Sequence, residues 1–279
     1  MDAVREEETI EDIVLRHSTR GMTLLRKHLP KDFCHRAAEE ILRWDKGTIL
    51  LTTGFYVAGF AETDGPVGTV MLAKALQKLG YTPVIVTDSY CEGFFDHLGM
   101  DVIYMSLQEK TEAIDGLLEE LKPVGMISIE RCGKNANGTY ANMRGVDISP
   151  YTAPCDELFK KARYKIPTIG VGDGGNEIGM GNIPEDAAKM LDIDFCKIKT
   201  TVLVIASVSN WGAYGIIAAL EEITRIPIFP EKGKTVQYIH KIVELGSVDG
   251  VSHKHTPSVD GFVLTVEQEI TNSLRSKGA

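Results

Sequence analysis

Six short runs of near-continuous apolar residues recur along the chain, at 48–53, 83–87, 101–105, 124–129, 167–171 and 201–206. A strand with one wet face would alternate apolar and polar residues. These runs do not, so each predicts a strand buried on both faces. Between them the apolar positions recur at helical spacing. Gly68, Leu72, Ala75, Leu76 and Leu79 share one face, with Pro66 fitting the first turn and Gly80 the position after the last. Residues 108–121, 155–164, 211–223 and 235–245 follow the same logic. Strand–helix alternation predicts parallel pairing through right-handed crossovers.

Before the first run, Phe33, Ala37, Ile41 and Leu42 mark another helix, and residues 263–274 predict a last one. The expected architecture is a single α/β domain over 1–279, three-layer α/β/α with a mostly parallel, Rossmann-like sheet. Residues 1–47 form a helical extension packing on it. No linker, low-complexity tract or internal repeat divides the chain.

Composition narrows the partners. The 279 residues carry 43% hydrophobic content and a net charge of −9, enough apolar material for a core and the wrong sign for a phosphate backbone, so nucleic acid is not an expected partner. The amino-terminal residues lack the cationic start and apolar run of a secretory signal, and no apolar run approaches the ~20 residues that span a bilayer. A cytoplasmic protein without membrane contact is expected, and a homo-oligomer is compatible with the sequence. Five scattered cysteines (Cys34, Cys91, Cys132, Cys155, Cys196) show no Cys-x-x-Cys spacing, so they read mainly as small buried hydrophobes. Cys91, after the strand at 83–87, and Cys132, within the segment 129–149, keep a functional reading beside that one.

Parallel sheets bind ligands beyond the carboxyl ends of their strands. After the first strand, residues 52–68 contain Thr53, Glu62, Asp64 and Gly65 before a helix, where free amides suit an anion. The long segment 129–149 holds Glu130, Arg131, Asn142 and Arg144. Each arginine can clamp a carboxylate through two parallel hydrogen bonds, or tie the segment to Glu130 and Asp147. Residues 169–181 include six glycines around Asp173, Gly174, Gly175, Asn176 and Glu177. So many glycines suit close backbone approach. Asn176 and Glu177 are expected to open a short helix. Asp173 and Glu177 suit acid/base work or a hard cation such as Mg²⁺ or another divalent ion, and no organic cofactor is expected. Ser209 and Asn210 fit a helix N-cap as well as a site. His253 and His255, in a segment expected to be mobile and ending near Asp260, read as solvated residues.

Taken together, Glu62-Thr63-Asp64-Gly65-Pro66, Ile129-Glu130-Arg131 with Asn142-Met143-Arg144-Gly145, Gly172 through Gly181, Ser209-Asn210-Trp211-Gly212 and Ser258-Val259-Asp260-Gly261 resemble the D-glutamate cyclase family, over roughly 48–261. The resemblance implies interconversion of D-glutamate and 5-oxo-D-proline plus water, a hydro-lyase reaction on a small amino acid. For that reaction the residues themselves make Asp173, Glu177, Asn176 and Glu130 the candidate catalytic set, with Asp173 and Glu177 the candidate metal ligands. Arg131, Arg144, Asn142, Gly174, Gly175, Thr53, Asp64, Gly65, Ser209, Asn210 and Asp260 are candidate substrate contacts. Two other readings stay open: a metal-dependent hydrolase or transferase acting on a phosphorylated or nucleotide ligand, and a non-catalytic binder of small carboxylates.

Overall fold

The computed structural model describes residues 7–191 and 194–278, so residues 1–6 of the expected extension lie outside the described residues. In chain order the helices are α1 (Ile10–Val14), α2 (Met22–Leu25), α3 (Phe33–Arg43), α4 (Pro66–Lys78), α5 (Thr111–Leu121), α6 (Asp156–Ala162), α7 (Glu185–Ala188), α8 (Ser209–Thr224), α9 (Lys234–Glu244) and α10 (Leu264–Gly278). The strands are β1 (Thr48–Thr52), β2 (Tyr56–Val57), β3 (Phe60–Ala61), β4 (Thr82–Thr87), β5 (Asp101–Tyr104), β6 (Gly125–Ile129), β7 (Thr168–Gly172), β8 (Val202–Ile205), β9 (Ser258–Val259) and β10 (Phe262–Val263).

All six apolar runs are strands of one sheet, ordered β5-β4-β1-β6-β7-β8 with every pairing parallel. Leu50, Val84, Val86 and Met126 face one core with Ile114 of α5 and Leu158 and Phe159 of α6. Ile49, Leu51, Ile85, Ile127 and Ile169 face a larger core with α3, α4, α8 and α10. Helices on both faces make the three-layer, Rossmann-like fold, and burial on both faces explains why the strand residues do not alternate. The order reverses between β1 and β6, so their following loops diverge and leave a crevice at the carboxyl edge.

The amino-terminal helices are tied to the same layers. α1 packs on α8 and α10, and Ser207 N–H donates to Val14 O at 2.9 Å. From α1 the chain turns past Arg20 to Gly21, at φ +79°, and enters α2, whose Met22 and Leu25 are buried. Among the described residues no helix is long and apolar enough to cross a membrane.

Two local expectations change. Asn176 and Glu177 open no helix: Glu177 pairs with Cys132 in an antiparallel bridge, and the next helical turn is at Met180–Asn182. Ser209 and Asn210 are not caps either. Val208 is the cap residue and α8 begins at Ser209, which frees both side chains for long-range contacts.

Candidate active site

The crevice is a cavity of about 380 Å³, within the range of small-molecule sites. Arg20, Glu62, Glu130 and Asn176 form its charged and polar floor, while Phe55, Tyr56, Tyr151 and Met143 contribute an apolar wall. Tyr56 stacks on Tyr151 with ring centroids 4.4 Å apart. Arg144 stands at the mouth, on a turn closed by Asn142, whose Oδ1 accepts from Arg144 N–H at 2.9 Å and Val146 N–H at 3.0 Å.

Six carboxylates converge at and beneath this floor: Glu62, Asp64, Glu130, Asp173, Glu177 and Asp260, none more than 9% exposed. Glu130 follows β6 and adopts φ +48°, a conformation that is strained for a residue with a side chain and clusters at functional sites. Its Oε2 accepts from Ser209 Oγ at 2.6 Å. Gly65, at φ +92°, makes room for it. A Cβ there would lie 2.7 Å from Thr53 Oγ1 and 2.8 Å from the Glu130 Cβ. Gly65→Ala is therefore expected to cost about 1–3 kcal/mol of stability, measured by urea unfolding; an unchanged midpoint would contradict this account of the turn.

Asp64 is pinned by backbone. Its carboxylate accepts from the N–H groups of Gly65 (2.9 Å), Ser209 (2.8 Å) and Asn210 (2.8 Å). Asn210 Oδ1 returns the link by accepting from Gly65 and Gly68 N–H at 3.0 and 2.6 Å. Thus Asp64, Gly65, Ser209 and Asn210 join the starts of α4 and α8 under the floor, and Thr53, Asp64, Ser209 and Asn210 do not line the cavity.

The glycine-rich segment serves its own glutamate. Gly174 and Gly175 N–H each donate to the Glu177 carboxylate at 2.7 Å, and a Cβ on Gly172 or Gly174 would lie 2.8 Å from a Glu177 oxygen. These amides orient Glu177 instead of facing an incoming anion. Asn176 Nδ2 donates to Ala141 O at 2.8 Å, which turns its Oδ1 away, buried and without a partner among the described residues.

Arg131 does not line the cavity. It is 1% exposed, pairs with Asp88 at 2.6 Å, and donates to Gly54 O and Ala153 O at 2.8 Å each. Its fork fastens the loops after β1, β4 and β6, and its partner is Asp88 instead of the anticipated Glu130. The guanidinium at the floor is Arg20. Its Nη1 meets Asp173 at 2.6 Å and its Nη2 meets Asp260 at 2.8 Å. Sequence reasoning missed it because a single arginine between two short helices carries no motif. Asp260, at φ +52°, is aimed by buried Asp249, which accepts from the N–H groups of Val251 (3.1 Å), Ser252 (2.7 Å) and Gly261 (2.7 Å) and from Ser258 Oγ (2.9 Å). The segment carrying His253 and His255 is thus anchored at its base, and His253 lies at the cavity edge.

Burial dominates the electrostatics. It holds the Glu62, Glu130 and Asp173 carboxyls well above their ordinary range, reinforced by neighbouring carboxylates and opposed at Glu62 and Asp173 by Arg20. Burial also raises Glu177, against the pull of its backbone N–H donors. Burial and the Asp260 charge push Asp64 up to about 8, against its own backbone N–H donors. Such a set shares protons or takes up cations. Asp64, Asp173 and Asp260 bring oxygens within 4.8 Å of one another, as do Glu130, Asp173 and Glu177, spacings that fit a hard divalent cation. The cysteines fit no such role: all five are free and buried, and burial lifts Cys91 to about 12 and Cys132 well above the thiol range.

A parallel α/β sheet with a buried carboxyl cluster at its crevice defines an α/β protein with a candidate small-molecule site. Residues 10–275 match the family described as D-glutamate cyclase-like, C-terminal, and the chain belongs to it. Human mitochondrial D-glutamate cyclase is 33% identical over 200 residues, covering 62% of this chain and 32% of that protein; the chain thus spans less than two thirds of its relative's length. Among solved structures, an exopolyphosphatase-related protein from Bacteroides fragilis is 10% identical, with a TM-score of 0.44 over 91% of this chain and 58% of the other. UDP-glucose 4-epimerase from Thermotoga maritima is 16% identical, with a TM-score of 0.29 over 46% and 38%. Likenesses this distant say nothing about activity.

Proposed function

We propose that the chain catalyses interconversion of D-glutamate and 5-oxo-D-proline plus water, a hydro-lyase reaction. The observation that carries this reading is the placement of Glu130 and Glu62 on the cavity floor, two carboxyls whose burial favours the protonated form, in a chain of this family. Cyclisation forms a bond from the amino nitrogen to the γ-carboxyl carbon and breaks a C–O bond there. The ammonium nitrogen gives up two protons in all, and the departing oxygen of the γ-carboxylate takes up two to leave as water. One floor carboxylate accepts a proton from nitrogen while a protonated neighbour delivers one to the leaving oxygen, a division of labour available to paired carboxyls in different environments.

The acidic floor suits the substrate's ammonium group, and Arg144 at the mouth offers a partner for a carboxylate. Asp173 and Asp260 lie beneath Arg20, where they support the floor. A divalent cation among Glu130, Asp173 and Glu177 would add polarisation of the γ-carboxyl. A phosphorylated ligand gains no support from the glycine-rich segment, since its Gly174 and Gly175 N–H groups already donate to Glu177.

The test incubates purified protein with D- and L-glutamate and with D- and L-5-oxoproline, with Mg²⁺ or with EDTA, and resolves products by chiral chromatography. Turnover confined to the D-enantiomers is expected. Absence of product in every arm would reject the reading, and binding of D-glutamate without product would favour a non-catalytic carboxylate binder.

A further inference from the structure

The two carboxylate triads share Asp173 but differ in what already sits on them. Glu130 and Glu177 are held by hydroxyl and backbone N–H donors. Asp173 and Asp260 are held by one guanidinium, delivered from the turn between α1 and α2. The two aspartates come from distant segments, after β7 and between β9 and β10, and a lysine ammonium lacks the planar fork that meets both with separate nitrogens. Each aspartate keeps a second oxygen, Oδ2, buried and without a hydrogen-bond partner among the described residues. The triad therefore has more acceptor capacity than the guanidinium uses, as a cation-binding set does. Arg20 is also the boundary of the cavity: it lines the floor while Asp173 and Asp260 do not.

We infer that Arg20 is the built-in cation of this centre, a positioning residue that bridges Asp173 and Asp260 beside the backbone-held Asp64, stands in place of a divalent ion in that triad, and thereby fixes the floor on which Glu62 and Glu130 stand. The substitution has a physical advantage. A covalently tethered cation keeps one positive charge at the triad at any metal concentration, and its fork sets the orientation of two carboxylates that belong to separate loops. The inference concerns the triad alone and does not depend on the substrate.

The test is a Mn²⁺ titration of the purified full chain, with free Mn²⁺ followed by electron paramagnetic resonance. Arg20→Met should bind one more Mn²⁺ per chain than the parent, and Mn²⁺ should raise its melting temperature by a larger shift than it gives the parent. Arg20→Lys, which keeps the charge, should bind the parental number. Equal stoichiometry in Arg20→Met and the parent would overturn the inference. Should Arg20→Met not fold, Asp260→Asn in the parental background decides: unchanged Mn²⁺ stoichiometry supports a triad filled by Arg20, whereas loss of a bound ion shows that Mn²⁺ displaces the guanidinium. These counts are read without turnover, so an inactive protein rejects the proposed reaction while leaving this result interpretable.

Discussion

Glu130→Gln is expected to lower the proposed turnover of D-glutamate and 5-oxo-D-proline by about 10²–10⁴-fold, the range for loss of a positioned acid or base, while leaving the protein at least as stable as its parent. Glutamine keeps the shape and an oxygen to accept from Ser209 Oγ, which lies 2.6 Å from Glu130 in the parent. It removes one of six buried acidic groups, so activity and stability should move in opposite directions. The stability difference has a signed pH dependence. Burial, then Asp173 and Glu177, raise the Glu130 carboxyl above its ordinary 4.5, so above that pH the folded parent binds more protons than the unfolded chain. Its stability therefore falls as pH rises through this window, and the glutamine variant lacks that contribution. Urea unfolding at several pH values should show the variant gaining on the parent from about pH 4.5 upward. A variant with parental kcat would remove Glu130 from the chemistry.

The second large effect concerns Arg131. Arg131→Met is expected to lower the free energy of unfolding by about 3–5 kcal/mol, the usual result of stripping one partner from a buried ion pair. Asp88, 3% exposed, would be left as an uncompensated charge, and the carbonyls of Gly54 and Ala153 would lose their donors. Adding Asp88→Asn should recover part of the loss, because the two sites are directly coupled. Denaturant unfolding of the single and double variants measures both. If Arg131→Met kept its stability within about 1 kcal/mol and instead raised KM many-fold, the arginine would be a substrate clamp.

The sheet was legible because its signal is local. A run such as Ile49-Leu50-Leu51 can satisfy its side chains only with apolar layers on both faces, and Gly65-Pro66 announces a helix start through φ restrictions alone. The acidic residues after strands pointed to the crevice for the same reason, since parallel topology places those loops at one edge. Which of them face the cavity was not local. Glu130 and Asp173 follow neighbouring strands and look alike in sequence, but positive φ turns Glu130 into the cavity while Arg20 covers Asp173. Arg131 and Arg144 also look alike. One is buried among carbonyls and the other stands at the mouth, a difference set by Asp88 and Ala153, residues 43 and 22 positions from Arg131 in the chain. Sequence determined the periodicities, and therefore the strands, helices and crossovers, because backbone and burial preferences act within a few residues. Only the tertiary structure decided the site's charge balance, because Coulomb and desolvation energies depend on distance through space, and Arg20 lies 153 residues from the aspartate it neutralises.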